Sequence, residues 1–466
     1  MGGSDTGGDP PWCEVACGAM TSTARRAPAR FPTLGGLYLA VPLMGLLLPQ
    51  APLLTIGATG AASLGILALT SPGTFLGGAA VLTAAVPKAG VVVGGLPLPA
   101  MMFVLILATV MLRLRTGHTK NPGYRIALMT MLWLSYRLLS LYLDGGSPAN
   151  VAALAGWYGL PVLLLLIGPA LGSLPNPIGR RWERGLENGI LVACGFSLVQ
   201  QLLGLERSAI PGITRAVGVD YAAKPLAFEG GSKIPSTYQN GNILGVVTAV
   251  FFLVSTDRVL RGRGSQRDKL IMAATAIATI LSGSRTAVIG LVLGLGLLML
   301  RAGLRRQTLV TAALCTFVVG LTLKLSPALS RRLSGTSASD PALTQRTEFW
   351  SFLLQTTSIP EMLIGGSAWA HPLEPPGLAE GTIGAVQQVG IIGMALFVAV
   401  FLTATSPAHL RRWRVLLIPV AISMVVDSAY LVFPTLFLPL ARMFAPLDPT
   451  ESEQQSVVPQ RIATTR

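Results

Sequence analysis

Apolar runs long enough to cross a bilayer recur along nearly the whole chain. A membrane-spanning helix needs about 20 consecutive apolar residues, with a range of roughly 17–25. Such runs occupy 34–50, 52–70, 74–95, 97–112, 125–143, 150–173, 186–205, 241–256, 269–283, 286–300, 307–325 and 384–404. A last apolar region, 415–441, contains Asp427 and Pro434 and reads as one broken span or a tight pair. A chain embedded in lipid must satisfy its backbone polar groups within its own helices. The expected fold is therefore all-α, a polytopic transmembrane helical bundle of about 12–14 spans.

Composition supports this. Of 466 residues, 51% are apolar and 12% charged, about half the charged share of a soluble domain. That balance excludes a soluble globular chain, a disordered chain, a collagen and a coiled coil. The net charge is +15, but the charges stand in short clusters between apolar runs, the pattern that orients membrane helices rather than one that binds nucleic acid. The clusters are Arg25/Arg26/Arg30, Arg113/Arg115/Lys120/Arg125, Arg180/Arg181/Arg184, Arg258/Arg261/Arg263/Arg267/Lys269, Arg301/Arg305/Arg306 and Arg411/Arg412/Arg414. Each follows an even number of spans, so all fall on the cytoplasmic side if the N-terminus is cytoplasmic.

The expected organisation follows. Residues 1–33 form a cytoplasmic segment, 34–205 the N-terminal transmembrane helices, 206–240 an external loop and 241–325 further helices. Residues 326–383 form a large external loop, 384–445 the C-terminal helices and 446–466 a disordered polar tail. Met20, followed by Thr-Ser-Thr-Ala-Arg-Arg, reads as an alternative start, which would leave residues 1–19 non-native, and no cleavable signal peptide is evident. Loops as long as the two external ones usually carry function.

Soluble catalytic motifs are missing. There is no Walker A sequence, no His-Glu-x-x-His and no Asp-x-Asp, and His118, His371 and His409 lie far apart. No metal and no cofactor is expected. Cys194 and Cys315 read as core residues, and Cys13 with Cys17 lacks further metal ligands.

Several polar residues on the expected external side carry a functional reading beside a structural one. Gly230 to Asn242 leads into a span, and Asn240 and Asn242 read as a turn and cap or as part of an anion site with Lys233. Ser282-Gly283-Ser284-Arg285 reads as a turn with a snorkelling Arg, or as a phosphate contact through the Arg285 guanidinium. Asp340-Pro341 opens a short amphipathic helix to about Gln355, with Arg346 and Trp350 on one face and Phe349, Phe352 and Leu353 apolar. Gly390 and Gly393 read as a close helix contact. Within the spans, Arg137 and Asp427 need a partner or a wet cavity, as an ion pair or a polar passage.

The order of these features resembles the O-antigen polymerase/ligase superfamily of bacterial membrane glycosyltransferases. Asn240-Gly241-Asn242 precedes a span, Ser282-Gly283-Ser284-Arg285 separates two spans, and Arg346-x-x-x-Trp350, Pro360 to Gly365-Gly366 and Gly390-Ile391-Ile392-Gly393 follow in turn. The resemblance covers about 206–404. It implies a GT-C-like, metal-independent enzyme that acts at the outer face of the inner membrane on glycans carried by undecaprenyl pyrophosphate. It assigns the pyrophosphate to Arg285 and Arg346, and to Arg215 and Lys233 as further contacts. It implies a flippase and a chain-length regulator as partners beside membrane lipid, and no nucleic acid. Ligases of the family carry a His shortly before the Gly-Ile-Ile-Gly helix. Here Glu380 stands in that place and His371 lies nine residues earlier, which favours a polymerase over a ligase. The acceptor base is then Glu380, with Glu348 and His371 as alternatives, because burial beside an apolar surface raises a carboxyl towards neutrality. Tyr238, Gln239, Trp350 and Trp369 are available for sugars. A secondary transporter or lipid-linked oligosaccharide flippase is the competing class, for which repeated halves and charges spread through several spans are expected.

Overall fold

The computed structural model describes residues 63–87, 89–93, 96–116, 123–143, 176–210, 212–214, 234–238, 240–303, 355–366, 381–404 and 418–426, with scattered positions between them. All the elements below belong to one compact unit, Leu64–Arg466.

The described elements run α1 Pro72–Ala85, β1 Gly90–Val93, β2 Leu96–Pro99, α2 Ala100–Thr116, α3 Gly123–Leu143, α4 Asn176–Leu203, a 3-10 turn Ser236–Tyr238, α5 Gly241–Leu260, α6 Gln266–Leu281, α7 Arg285–Ala302, α8 Ile359–Ile364, α9 Gly381–Ala404 and α10 Ile418–Val426. Among the described residues four helices are long and apolar enough to cross a membrane: α3 over Arg125–Leu143, α4 over Ile178–Leu203, α5 and α7. The spans expected at 34–50, 150–173 and 307–325 lie largely or wholly outside the described residues, as do Asp427 and Pro434.

Two departures from the sequence reading stand out. Residues 90–93 and 97–99 fall within the spans expected at 74–95 and 97–112, yet Gly90–Val93 and Leu96–Pro99 pair as antiparallel strands, with Gly90 opposite Pro99 and Val93 opposite Leu96. Val91, Val92 and Val93 are β-branched and favour strands. Leu96-Pro-Leu-Pro99 cannot continue a helix, because each Pro lacks the N–H and clashes with the preceding turn. The second departure is α4, which starts at Asn176 rather than near 186. Its first turns are charged and its apolar face appears only later, so hydropathy alone misses its beginning.

α1 packs on α4 through small residues. A Cβ on Gly185 would lie 2.3 Å from the Gly77 carbonyl, and one on Gly189 would lie 2.6 Å from the Val81 carbonyl. The pairs 77/185 and 81/189 advance together, so the two helices are parallel. Close backbone approach of this kind is how helices associate where lipid offers no hydrophobic drive.

α5 is the central helix. It is buried along most of its length, and α6, α7 and α10 gather around it. Gly294 of α7 receives Leu253 of α5, and Gly245 of α5 receives Ser282 and Ala287. Inside this apolar packing Thr248 and Thr279 share a hydroxyl hydrogen bond of 2.7 Å, so neither is left unpaired. α10 meets α7 where Pro419 touches Gly290, in the half of α7 nearer Arg285.

The bundle has two distinct ends. The start of α1, the first half of α4, the end of α5 and the start of α6 meet at one, where Arg181 donates to Thr74 and Arg258 pairs with Glu187. The end of α1, the second half of α4, the 3-10 turn, the start of α5, the end of α6 and the start of α7 meet at the other.

Candidate functional site

The second end contains the site residues that the structure describes. The Ile234 N–H donates to the Leu281 carbonyl at 3.1 Å, which brings the chain beside α6. The 3-10 turn is then tied to two helices at once, α4 and α1. Ser236 Oγ donates to the Ala193 carbonyl at 2.6 Å, and Gln200 Nε2 donates to the Ser236 carbonyl at 3.2 Å. Thr237 Oγ1 donates to the Ala85 carbonyl, and the Tyr238 hydroxyl to the Ala84 carbonyl at 2.7 Å. These bonds hold Ser236 at φ +53°, a conformation that non-glycine residues seldom adopt. Gln200 Oε1 is buried there with no hydrogen-bond partner among the described residues.

Tyr238 is therefore not an open sugar-stacking ring. It is fully buried, and that burial pushes its phenol above the ordinary value. Its aromatic area and hydroxyl anchor the turn to α1, the usual arrangement for a buried Tyr.

The turn delivers Asn240 to the N-cap of α5, where its side chain accepts from the Asn242 N–H at 2.8 Å. Asn240 is thus a cap, and Asn242 stands half-buried in the first helical turn. The link from α6 to α7 is built the same way. Ser282 Oγ donates to the Thr279 carbonyl, Gly283 reverses the chain at φ +61°, and Ser284 caps α7 by accepting from the Ala287 N–H. Arg285 is the first residue of α7 and is half-buried. A Cβ on Gly245 would lie 2.5 Å from Ser282 Oγ and 3.0 Å from Ser284 Cβ, so the first turns of α5 and α7 abut. Two capped helix N-termini thus stand side by side with a guanidinium between solvent and core.

Arg215, Lys233, Arg346, Trp350, His371 and Glu380 lie outside the described residues, as do Gln239 and Trp369. Glu348 is helical and exposed. Cys194 is a buried free thiol in α4.

Arg137 has a defined setting in α3, where it is buried. Its Nε donates to the Gln388 carbonyl at 3.3 Å, its Nη2 to the Gly366 carbonyl at 3.0 Å and its Nη1 to Ser140 Oγ at 3.4 Å. One turn earlier Trp133 Nε1 donates to the Val389 carbonyl at 2.9 Å. These acceptors flank Gly390, where α9 breaks with φ +72° and ψ 169°. Gly393 lies against Trp133, and Gly390 against the end of α8. Both glycines thus allow close contacts, as their spacing suggests. The sequence singles out Arg137 but not these partners. The nearby signal was Gly365 together with Gly390, glycines at which a side chain would collide with backbone.

The other end of the bundle holds an ion network that the charge clusters alone do not reveal. Arg258 pairs with Glu187 at 2.8 Å and Asp268 at 2.9 Å, and Arg267 pairs with Glu187 at 2.9 Å. Arg267 also reaches Asn188 Oδ1 and the Arg184 carbonyl. Ser265 caps α6 reciprocally with Asp268. Burial alone would raise the Asp268 carboxyl, but hydrogen bonds from Ser265 and Arg258 carry it below its ordinary value. The signal in the sequence was the acidic residues interleaved with the Arg clusters. Because α4, α5 and α6 each contribute, the network fixes their relative heights.

Among the described residues no group of three or more His, Cys, Asp or Glu is placed to hold a metal ion. Compared with known proteins, the chain matches no family model, no curated protein and no solved structure.

Proposed function

We propose that this chain polymerises lipid-linked polysaccharide repeat units, transferring the glycan from undecaprenyl pyrophosphate to a sugar hydroxyl at the outer face of the inner membrane. The reading rests on the motif order described above. The observation that supports it is the setting of Arg285. A cation at the first position of a helix opposes the helix dipole. Here it also stands at the end of the bundle away from the Arg258–Arg267 network, beside a second helix N-terminus. An anion bound there accepts from the guanidinium and interacts favourably with both helix termini. The diphosphate of a lipid carrier has this chemistry and lies at headgroup depth.

The mechanism that follows is electrostatic. Departure of the glycan leaves negative charge on the diphosphate, and a fixed guanidinium stabilises that charge as it develops. Arg285 takes this role with Arg346, and Glu380 accepts the proton of the attacking hydroxyl. In this orientation the N-terminus is cytoplasmic and the 3-10 turn lies on the outer side.

The test uses purified protein and lipid-linked repeats, with chain length as the readout. Wild type lengthens the repeats, and Arg285→Ala slows this on the order of 10²-fold or more. Arg285→Lys recovers little, because Lys lacks the forked donor geometry. Glu380→Gln slows extension on the order of 10²–10⁴-fold. A wild type that lengthens nothing refutes the polymerase. Transfer of preformed polymer to a non-carrier acceptor would then identify a ligase, and carrier movement across vesicles without bond formation a flippase.

A further inference from the structure

Where α4 and α6 begin, the bundle carries cations that the Arg258 network does not absorb. Glu187 and Asp268 are buried and engaged by Arg258 and Arg267, and Glu183 stands 4.0 Å from Arg258. Arg180 and Arg184 stay on the surface of α4, both exposed and with no carboxylate partner among the described residues. Arg180, Arg184 and Asn188 are four apart and so share one face of the helix. Arg267 crosses from α6 onto that face. Its Nη2 donates to Asn188 Oδ1 at 2.6 Å and to the Arg184 carbonyl at 3.1 Å, and its Nε donates to Glu187. The Arg267 side chain is still 37% exposed.

Further along α4 the same face turns apolar. Leu191, Gly195 and Leu198 continue it at spacings of three and four, with Gly195 and Leu198 exposed. On α6, Leu270 follows Arg267 by three residues, shares its face and is 58% exposed. α4 and α6 both begin at this end, so Leu270 stands deeper than Arg267, opposite the apolar part of the α4 face. Packing does not explain Gly195. Gly185 and Gly189 admit α1, whereas a Cβ on Gly195 meets nothing within 4 Å among the described residues. A glycine inside a helix weakens it, and this one leaves a notch in the wall beyond the cations.

We propose that the groove between α4 and α6 seats one anionic phospholipid, with its phosphate on Arg180, Arg184 and Arg267 and an acyl chain along Gly195. The charged first turns of α4 precede an apolar stretch long enough to cross a membrane, which sets the guanidinium groups at headgroup depth. Guanidinium groups bind phosphate oxygens through paired N–H donors. A zwitterionic lipid carries its own ammonium, which the same cations repel. The middle of α7 around Leu293 is exposed and apolar without such cations, so it offers a lipid contact of the ordinary kind. The groove lies at the opposite end of the bundle from Arg285, and the proposal is independent of the polymerase reading.

The test uses the full chain with its four native cysteines replaced, reconstituted in liposomes. A fluorophore is attached at Leu270→Cys or, as control, at Leu293→Cys. Quenching by phosphatidylglycerol brominated on its acyl chains, diluted into phosphatidylcholine, reads which lipid occupies each position. Each exposed Arg near a headgroup strengthens attraction to lipid anions about fivefold, so the preference for phosphatidylglycerol should be about tenfold or more higher at 270 than at 293. Arg180→Gln and Arg184→Gln should each lower it about fivefold, and the pair together should bring it to within about twofold of position 293. The corresponding Lys pair should keep most of the preference, because it keeps the charge. Equal preference at the two positions in wild type means an ordinary lipid face and overturns the proposal. So does a preference that survives the Gln pair, or a Lys pair that loses as much as the Gln pair, which would mark disturbed packing. Glycerol 1-phosphate in excess should leave the preference in place; if it erases the preference, the groove takes a soluble phosphate and the lipid assignment falls.

Discussion

Gly390→Ala measures how tightly α8 is seated on α9, and Gly303→Ala is its control. The two glycines have nearly the same backbone conformation, φ 72° and ψ 169° at Gly390 against φ 72° and ψ 172° at Gly303. That region is almost closed to other residues, and occupying it costs about 1–3 kcal/mol at either position. Their surroundings differ. Among the described residues a Cβ on Gly303 meets nothing within 4 Å, whereas one on Gly390 would lie 2.3 Å from the Leu363 carbonyl oxygen, 2.5 Å from the Ile364 carbonyl carbon and 2.7 Å from the Gly365 nitrogen. All three neighbours are backbone, so no side-chain rotation relieves the clash. Forced insertion of this kind costs about 1–3 kcal/mol more. Gly390→Ala should therefore be the less stable variant by about 1–3 kcal/mol, up to a hundredfold in the folding equilibrium. The measurement is unfolding of purified protein in mixed micelles against rising SDS fraction, followed by tryptophan fluorescence. Trp133 lies at the same seam and reports its opening. Losses that agree within about 0.5 kcal/mol would show that α8 does not press on the break.

Three further outcomes are expected. Glu187→Gln removes the charge that faces both Arg258 and Arg267 and should cost about 1.5–3 kcal/mol in the same titration. Arg261→Ala, which breaks only the more exposed pair with Asp257, should cost less than about 1 kcal/mol, and equal losses would refute a joint role for the network. Asp268 is held below the ordinary carboxylate value despite its burial, so its contribution is complete above that range and is lost as pH falls through the folded value. The thermal midpoint of wild type should accordingly fall more steeply on acidification than that of Asp268→Asn, and parallel curves would contradict the assignment. Tyr238→Phe should lose one hydrogen bond to Ala84, about 0.5–1.5 kcal/mol, without changing KM for a lipid-linked repeat; a raised KM would return Tyr238 to the substrate.

Local pattern alone determined the apolar, helical character of the chain and much of the helix register. The runs 241–256, 269–283 and 286–300 correspond closely to α5, α6 and α7. Asn240 and Ser284 stand where the chain turns into a helix, because a cap is satisfied by a hydrogen bond two or three residues away. Hydropathy and capping act over a few residues, so the sequence displays them directly. The tertiary structure alone decided what the polar residues between and within these helices touch. Tyr238 could have been an open ring until its hydroxyl was found on Ala84, 154 residues earlier. Arg137 could have paired with a carboxylate or lined a passage, but it holds carbonyls 229 and 251 residues away. Glu187 meets Arg258 across 71 residues, and the paired strands Gly90–Val93 and Leu96–Pro99 replace the two span ends that hydropathy places there. Hydrogen bonds and ion pairs of this kind are directional and short, and which groups come within reach depends on how the helices stack. That stacking is set by contacts such as Gly77 on Gly185 and Gly290 on Pro419, which bring together segments distant in the chain.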